Sequence, residues 1–185
     1  ASEIHGMMTG LLTGGVRLNR QQLVKVLEAH TEADQAFDER LIAEITDGLR
    51  ELEADARVRA VVLSSTGKSF CAGADLDWMR RVAACSPEEN LRDARRLAEL
   101  LSTLNELSKP TLARVQGPAY GGGVGLIAAC DIAIGTYDAV FALSEVKLGI
   151  IPAVISPYVL AAIGERYSRR YMLTAERFSA AEAYR

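Results

Sequence analysis

Hydrophobic positions first recur with a clear period at Phe37, Leu41, Ile42, Ile45, Leu49 and Leu52. Spacings of three and four put these side chains on one face of a helix, with Asp38 and Glu39 near its positive end. Residues 58–65 (VRAVVLSS) then form a short apolar, β-branched run, the pattern of a buried strand. A second helix is predicted over 87–107, where Leu91, Ala94, Leu97, Leu101 and Leu104 share a face and Pro110 stops it. Strands are predicted at 111–115 and 131–136 and briefly at 141–142, a turn at 116–121, and a small-residue helix at 122–130. Residues 157–163 and 165–173 read as helices. Upstream, residues 1–35 match no clean pattern, although 16–20 alternate like a strand and 21–32 have helical character. Strands alternating with helices argue an α/β domain over 36–185, preceded by the poorly matched segment 1–35.

Composition narrows the class. The chain of 185 residues is 49% hydrophobic and 24% charged, which is ordinary globular composition and excludes a disordered chain. Its net charge of −3 gives no general attraction to phosphate backbones or anionic lipid, so neither a nucleic acid nor a membrane is the expected partner. No apolar run reaches the roughly 18–20 residues of a membrane span, and no signal peptide opens the chain, so a cytoplasmic location is expected. Cys71, Cys85, Cys130, His5 and His30 show no metal-type spacing, so no metal site is expected.

Several motifs fail on spacing. Gly67-Lys68-Ser69 resembles the end of a phosphate-binding loop, but Val62 stands where its first glycine belongs. Leu126 breaks the dinucleotide fingerprint that Gly121 and Gly123 suggest. Two histidines near the N-terminus leave no plausible Ser-His-Asp set.

Two glycine-bearing turns remain. The first, SFCAGADL at 69–76, follows the predicted buried strand; the second, GPAYGGG at 117–123, immediately precedes a helix. Glycine there permits close approach of a ligand, and the free N–H groups of a helix start carry positive partial charge. If the turns converge, one N–H from each could hold a developing oxyanion; otherwise both are plain strand-to-helix turns.

Taken in order, SFCAGADL, GPAYGGGVGLIAACDIAI and FALSEVKLGIIPAVISPYV resemble the crotonase (enoyl-CoA hydratase/isomerase) superfamily. The resemblance covers about residues 36–185, and 16–20 resemble a strand of the same family. AVISPY and the run 161–182 are most similar to the bacterial 3-methylglutaconyl-CoA hydratase branch and its isohexenylglutaconyl-CoA hydratase relative. The resemblance implies a spiral of β-β-α turns, with a C-terminal helical region that lies beyond Arg185 and is lacking here. It also implies an acyl-CoA substrate, no cofactor apart from the coenzyme A carried by that substrate, and a homo-oligomer (a trimer or dimer of trimers). The stretch between Arg20 and Ala36 is longer than the family's connection.

Residue by residue, the resemblance assigns the oxyanion donors to the backbone N–H groups of Ala74 and Gly122, and a catalytic carboxylate to Glu145. Gly73, Asp75, Leu76, Trp78, Gly121, Gly123, Gly125 and Ser144 fall at substrate-binding positions. Asp75 also reads as a loop-fixing or capping residue, and Trp78 with Met79 as either acyl-pocket or core. The second glutamate of two-glutamate hydratases falls at Gly125, which has no side chain. Hydration then leaves both proton steps to Glu145, or recruits Ser144, Ser156, Tyr158 or a distal carboxylate of the substrate. The alternatives are an enoyl-CoA isomerase working with one glutamate, and a non-catalytic acyl-CoA- or RNA-binding relative. Cys71 and Cys130 read as small buried hydrophobes, and Asp131 as the anchor of a strand start.

Overall fold

Asp38 opens the first described helix, α1 (Glu39–Ala54), its Oδ1 accepting from the Leu41 N–H at 2.9 Å. The computed structural model describes residues 38–74 and 76–185 and, by backbone alone, 25–29; at 76–78 only the backbone is described. In α1 the predicted face is the buried one, with Ile42, Ile45, Leu49 and Leu52 turned inward. No basic residue occupies its last turn. Lys109, from a distant loop, instead donates to the Leu52 carbonyl, to that of Glu53 at 2.7 Å and to that of Asp55 at 2.8 Å. A cation thus meets carbonyls that the helix leaves without partners.

The backbone of β1 (Lys25–Ala29) pairs in parallel with β2 (Val61–Ser65), which corrects the helical reading of 21–32 at 25–29, the rest of that stretch lying outside the described residues. Its backbone groups complete the edge of a sheet, and that non-local pairing overrides a weak local preference. The strand predicted at 16–20 lies outside the described residues. After β2 come α2 (Leu76–Ala84) and α3 (Pro87–Asn105). A capping box opens α3: the Glu89 N–H donates to Ser86 Oγ at 3.2 Å, and the Ser86 N–H to Glu89 Oε2 at 2.8 Å. Leu100, Leu101 and Leu104 are buried where α3 meets α1.

Next come β3 (Thr111–Val115), β4 (Ala119–Tyr120), α4 (Gly122–Ala129) and β5 (Ile132–Gly135). The main sheet runs β1-β2-β3-β5, all parallel. Asp131 anchors the start of β5 to β3: its Oδ2 accepts from the Thr111 N–H at 2.8 Å and Oγ1 at 2.9 Å. β6 (Val140–Ala142) leads into a single 3-10 turn, Glu145–Leu148. The two predicted C-terminal helices form α5 (Ser156–Thr174), broken at Gly164 where φ is 75°. β7 (Phe178–Ser179) and α6 (Ala180–Ala183) close the described chain.

A second sheet, β4-β6-β7, pairs β4 with β6 in parallel and β6 with β7 antiparallel. It is tied to α5 by stacked rings, Tyr171 on Phe178 at 4.1 Å and Phe178 on Phe141 at 5.4 Å. Of this small sheet the sequence pattern shows only the brief strand at 141–142; β4 and β7, two residues each, carry no period of their own. Functionally it matters, since β4 delivers the second glycine turn and β6 delivers Glu145.

Candidate active site

The two glycine turns lie side by side. The N–H groups of Phe70 and Cys71 donate to the Pro118 carbonyl at 2.8 and 3.2 Å, and the Tyr120 N–H donates to the Cys71 carbonyl at 3.0 Å. Cys71 and Ala119 form a parallel bridge. The contact is too close for side chains: a Cβ on Gly117 would stand 2.1 Å from the Lys68 carbonyl oxygen, and one on Gly123 would stand 2.4 Å from Cys71 Cβ. A Cβ on Gly73 would come 3.7 Å from Tyr120 Cβ. Small residues in both turns therefore serve first to bring two backbones together.

Gln116, which the sequence reading passed over, fixes the first turn. Its Nε2 donates to Ser65 Oγ at 2.8 Å and to the Ser69 carbonyl at 2.9 Å, while Ser65 Oγ donates to that same carbonyl at 2.9 Å. Its position between a predicted strand and a Gly-Pro turn was the available signal.

Glu145 comes to the second turn from β6. Gly121 adopts φ 51° and ψ −119°, a conformation that L side chains rarely hold, and a Cβ there would lie 3.1 Å from Glu145 Oε1. The carboxylate thus rests against the backbone just before the first turn of α4. Gly122 opens that helix, so its N–H has no intrahelical acceptor. Glu145 Oε2 is buried and has no hydrogen-bond partner among the described residues. Burial pushes the Glu145 carboxyl up from its ordinary value, against a smaller opposing effect of its own backbone N–H. A half-buried acid with a raised pKa and an oxygen without a partner among the described residues suits proton transfer.

The other expected positions separate into groups. Gly73 lies against Tyr120 of the second turn and Gly121 against Glu145; half-buried Ala74 and Gly122 follow them directly in the chain, and half-buried Ser144 directly precedes Glu145. Gly123 and Gly125 are buried and turn toward protein, the first toward Cys71 and the second toward Ile155. Asp75 lies outside the described residues, as do the side chains of Leu76 and Trp78, whose backbone belongs to α2. Ser156 Oγ is engaged, donating to the Ala153 carbonyl at 2.8 Å, and Tyr158 packs against the core. Burial pushes the Cys71 thiol up and the Cys130 thiol up to about 12, which makes both poor nucleophiles. Among the described residues no cluster of His, Cys, Asp and Glu is arranged to hold a metal, and no helix is long and apolar enough to cross a membrane.

A family model described as enoyl-CoA hydratase/isomerase matches residues 20–185. The chain belongs to that family. It is 41% identical to a Thermus thermophilus protein of enoyl-CoA hydratase type, over 75% of this chain and 55% of that one. A solved crotonase-type structure from Legionella pneumophila superposes with a TM-score of 0.84 at 45% identity, covering 91% of this chain and 65% of the other. An enoyl-CoA hydratase structure from Shewanella pealeana is 53% identical with a TM-score of 0.79, covering 80% of this chain and 56% of its own. The α/β architecture with parallel sheets is that of these crotonase-fold neighbours. The chain spans about half the length of the curated relatives it matches.

Proposed function

We propose that this chain carries the acyl-thioester site of a hydratase that adds water reversibly to an α,β-unsaturated acyl-CoA. The observation that carries the proposal is the placement of Glu145, with one oxygen against Gly121 and the other buried without a partner among the described residues. In this reading the thioester oxygen accepts from the backbone N–H groups of Ala74 and Gly122. Those donors hold the negative charge that develops when water oxygen bonds to the β-carbon, and one such donor is typically worth ~10²–10³ in rate. Glu145 accepts the proton that water loses and returns it to the α-carbon, so water is added across the double bond and the carboxylate is regenerated. The thioester supplies the activation, and no cofactor beyond the coenzyme A handle is invoked.

For the substrate we propose 3-methylglutaconyl-CoA or an isoprenoid homologue, a place in leucine or isoprenoid breakdown that rests on the AVISPY stretch and the run 161–182. The working form is proposed as a cytoplasmic trimer or dimer of trimers; the exposed apolar residues Leu148, Ile150 and Ile151 beside the site suit a covered face. Loss of enone-thioester absorbance with 3-methylglutaconyl-CoA is expected for the native chain, and a loss slowed ~10²–10⁴-fold for Glu145→Gln. Equal rates in both proteins would remove Glu145 from the mechanism.

One observation favours a second reading. A side chain at position 125 is excluded at its Cβ by Ile155, as suits an isomerase that moves one proton between carbons of the acyl chain. Conversion of a β,γ-unsaturated thioester without gain of water would identify that activity.

A further inference from the structure

Position 125 follows Gly121 by one turn of α4, and the Gly125 N–H donates to the Gly121 carbonyl at 3.3 Å. Residues four apart on a helix lie one above the other, and their Cα–Cβ bonds lean toward the N-terminus. A side chain at 125 would therefore be directed back along the face on which Gly121 meets Glu145. That is the direction in which a second proton-carrying group would have to reach.

The route is filled. A Cβ at 125 would stand 2.3 Å from Ile155 Cγ2 and 2.7 Å from Ile155 Cβ. Carbons pack at about 3.5–4.0 Å, so even alanine does not fit. Ile155 has little freedom to withdraw. It is 3% exposed, it sits at the N-cap of α5, and its carbonyl accepts from the Val159 N–H at 3.1 Å. Rotating its side chain would clear Cγ2 but leave Cβ in place, so clearance needs movement of the α5 backbone.

We propose that Ile155 is a specificity-determining residue: its side chain occupies the space that a Cβ at 125 would need, so that no carboxylate can be carried from that position, and it thereby commits the site to a single proton carrier, Glu145. The proposal rests on the reading of Glu145 given above. It makes Gly125 and Ile155 a size-matched pair, in which placing a carboxylate at 125 requires removal of the side chain at 155.

The test uses the full chain and the variants G125E, I155G and G125E/I155G, each also made with E145Q. Glycine at 155 removes both Cγ2 and Cβ, whereas alanine would leave the Cβ contact. In thermal melting, G125E alone is expected to lose several degrees, and the double variant to melt well above the value obtained by adding the two single losses. In turnover of an α,β-enoyl-CoA, E145Q/G125E/I155G is expected to regain at least ~10-fold over E145Q, with a pH profile governed by an acidic group. E145Q/G125E, with Ile155 present, is expected to regain nothing. Additive melting losses would overturn the proposal by showing that Ile155 does not exclude a side chain at 125. Coupled melting without regained turnover would overturn it too, because the side chain would then point away from the reacting atoms. An E145Q protein as active as the parent would instead defeat the Glu145 reading, and this inference with it.

Discussion

Gly123→Ala tests whether the two turns must touch for the site to exist. The added Cβ would lie 2.4 Å from Cys71 Cβ and 2.9 Å from Cys71 Sγ. The first distance is about 1 Å shorter than the ~3.5 Å at which carbons pack. Cys71 cannot easily retreat, because its N–H and carbonyl are both engaged with the second turn, at Pro118 and Tyr120. The strain must separate the segments that carry Ala74 and Gly122. Overpacking a tight core typically costs ~1–3 kcal/mol, and a clash between main-chain-anchored Cβ atoms belongs at the upper end. For a domain of this size about 3 kcal/mol lowers the melting temperature by roughly 6–12 °C. The kinetic effect should fall on kcat more than on KM, by ~10²-fold, since a displaced oxyanion donor weakens the transition state rather than substrate binding. Calorimetry and enone-absorbance kinetics on the folded variant measure both, and Cys71→Gly in the same protein should restore part of each by removing the opposing Cβ. A Gly123→Ala protein with native melting and native kcat would refute the claim that contact between the turns positions the donors.

Two further outcomes follow from individual side chains. Burial raises the Glu145 carboxyl above its ordinary 4.5, so the folded chain favours the protonated acid; the stability this confers is complete below about 4.5 and is lost as pH rises through the folded value. Glu145→Gln cannot ionise, so pH-dependent denaturant melts should show it gaining on the parent as pH rises above about 4.5, with a constant difference well below that value; a gap that widens on acidification would contradict the burial argument. Lys109→Met keeps the aliphatic stem but withdraws the cation from the carbonyls of Leu52, Glu53 and Asp55, and should cost ~1–3 kcal/mol in urea unfolding while leaving kcat unchanged.

Much of this molecule was legible from local pattern. The faces of α1 and α3 follow from three-and-four spacing, β2 from an apolar β-branched run, and the break at Gly164 from a glycine between two helical segments. Each of these is a property of neighbouring residues, since helix period, strand burial and turn chemistry act over a few positions. The residue types of the site were visible for the same reason: two glycine turns and a glutamate among apolar neighbours. Their meeting was not. β1 and β4 exist as strands only because a partner backbone lies alongside, and no pattern within residues 25–29 or 119–120 announces that pairing. Gly123 reads as one small residue among several until Cys71 stands against it, and Gly125 as a missing glutamate until Ile155 is found in its place. Likewise, nothing near Glu145 in the chain reveals that Gly121 lies at its carboxylate or that Oε2 is buried without a partner among the described residues. Contacts between segments far apart in sequence depend on which backbones the sheets and helices bring within van der Waals distance. Chain folding as a whole makes that choice, and it brought Glu145 against the second glycine turn.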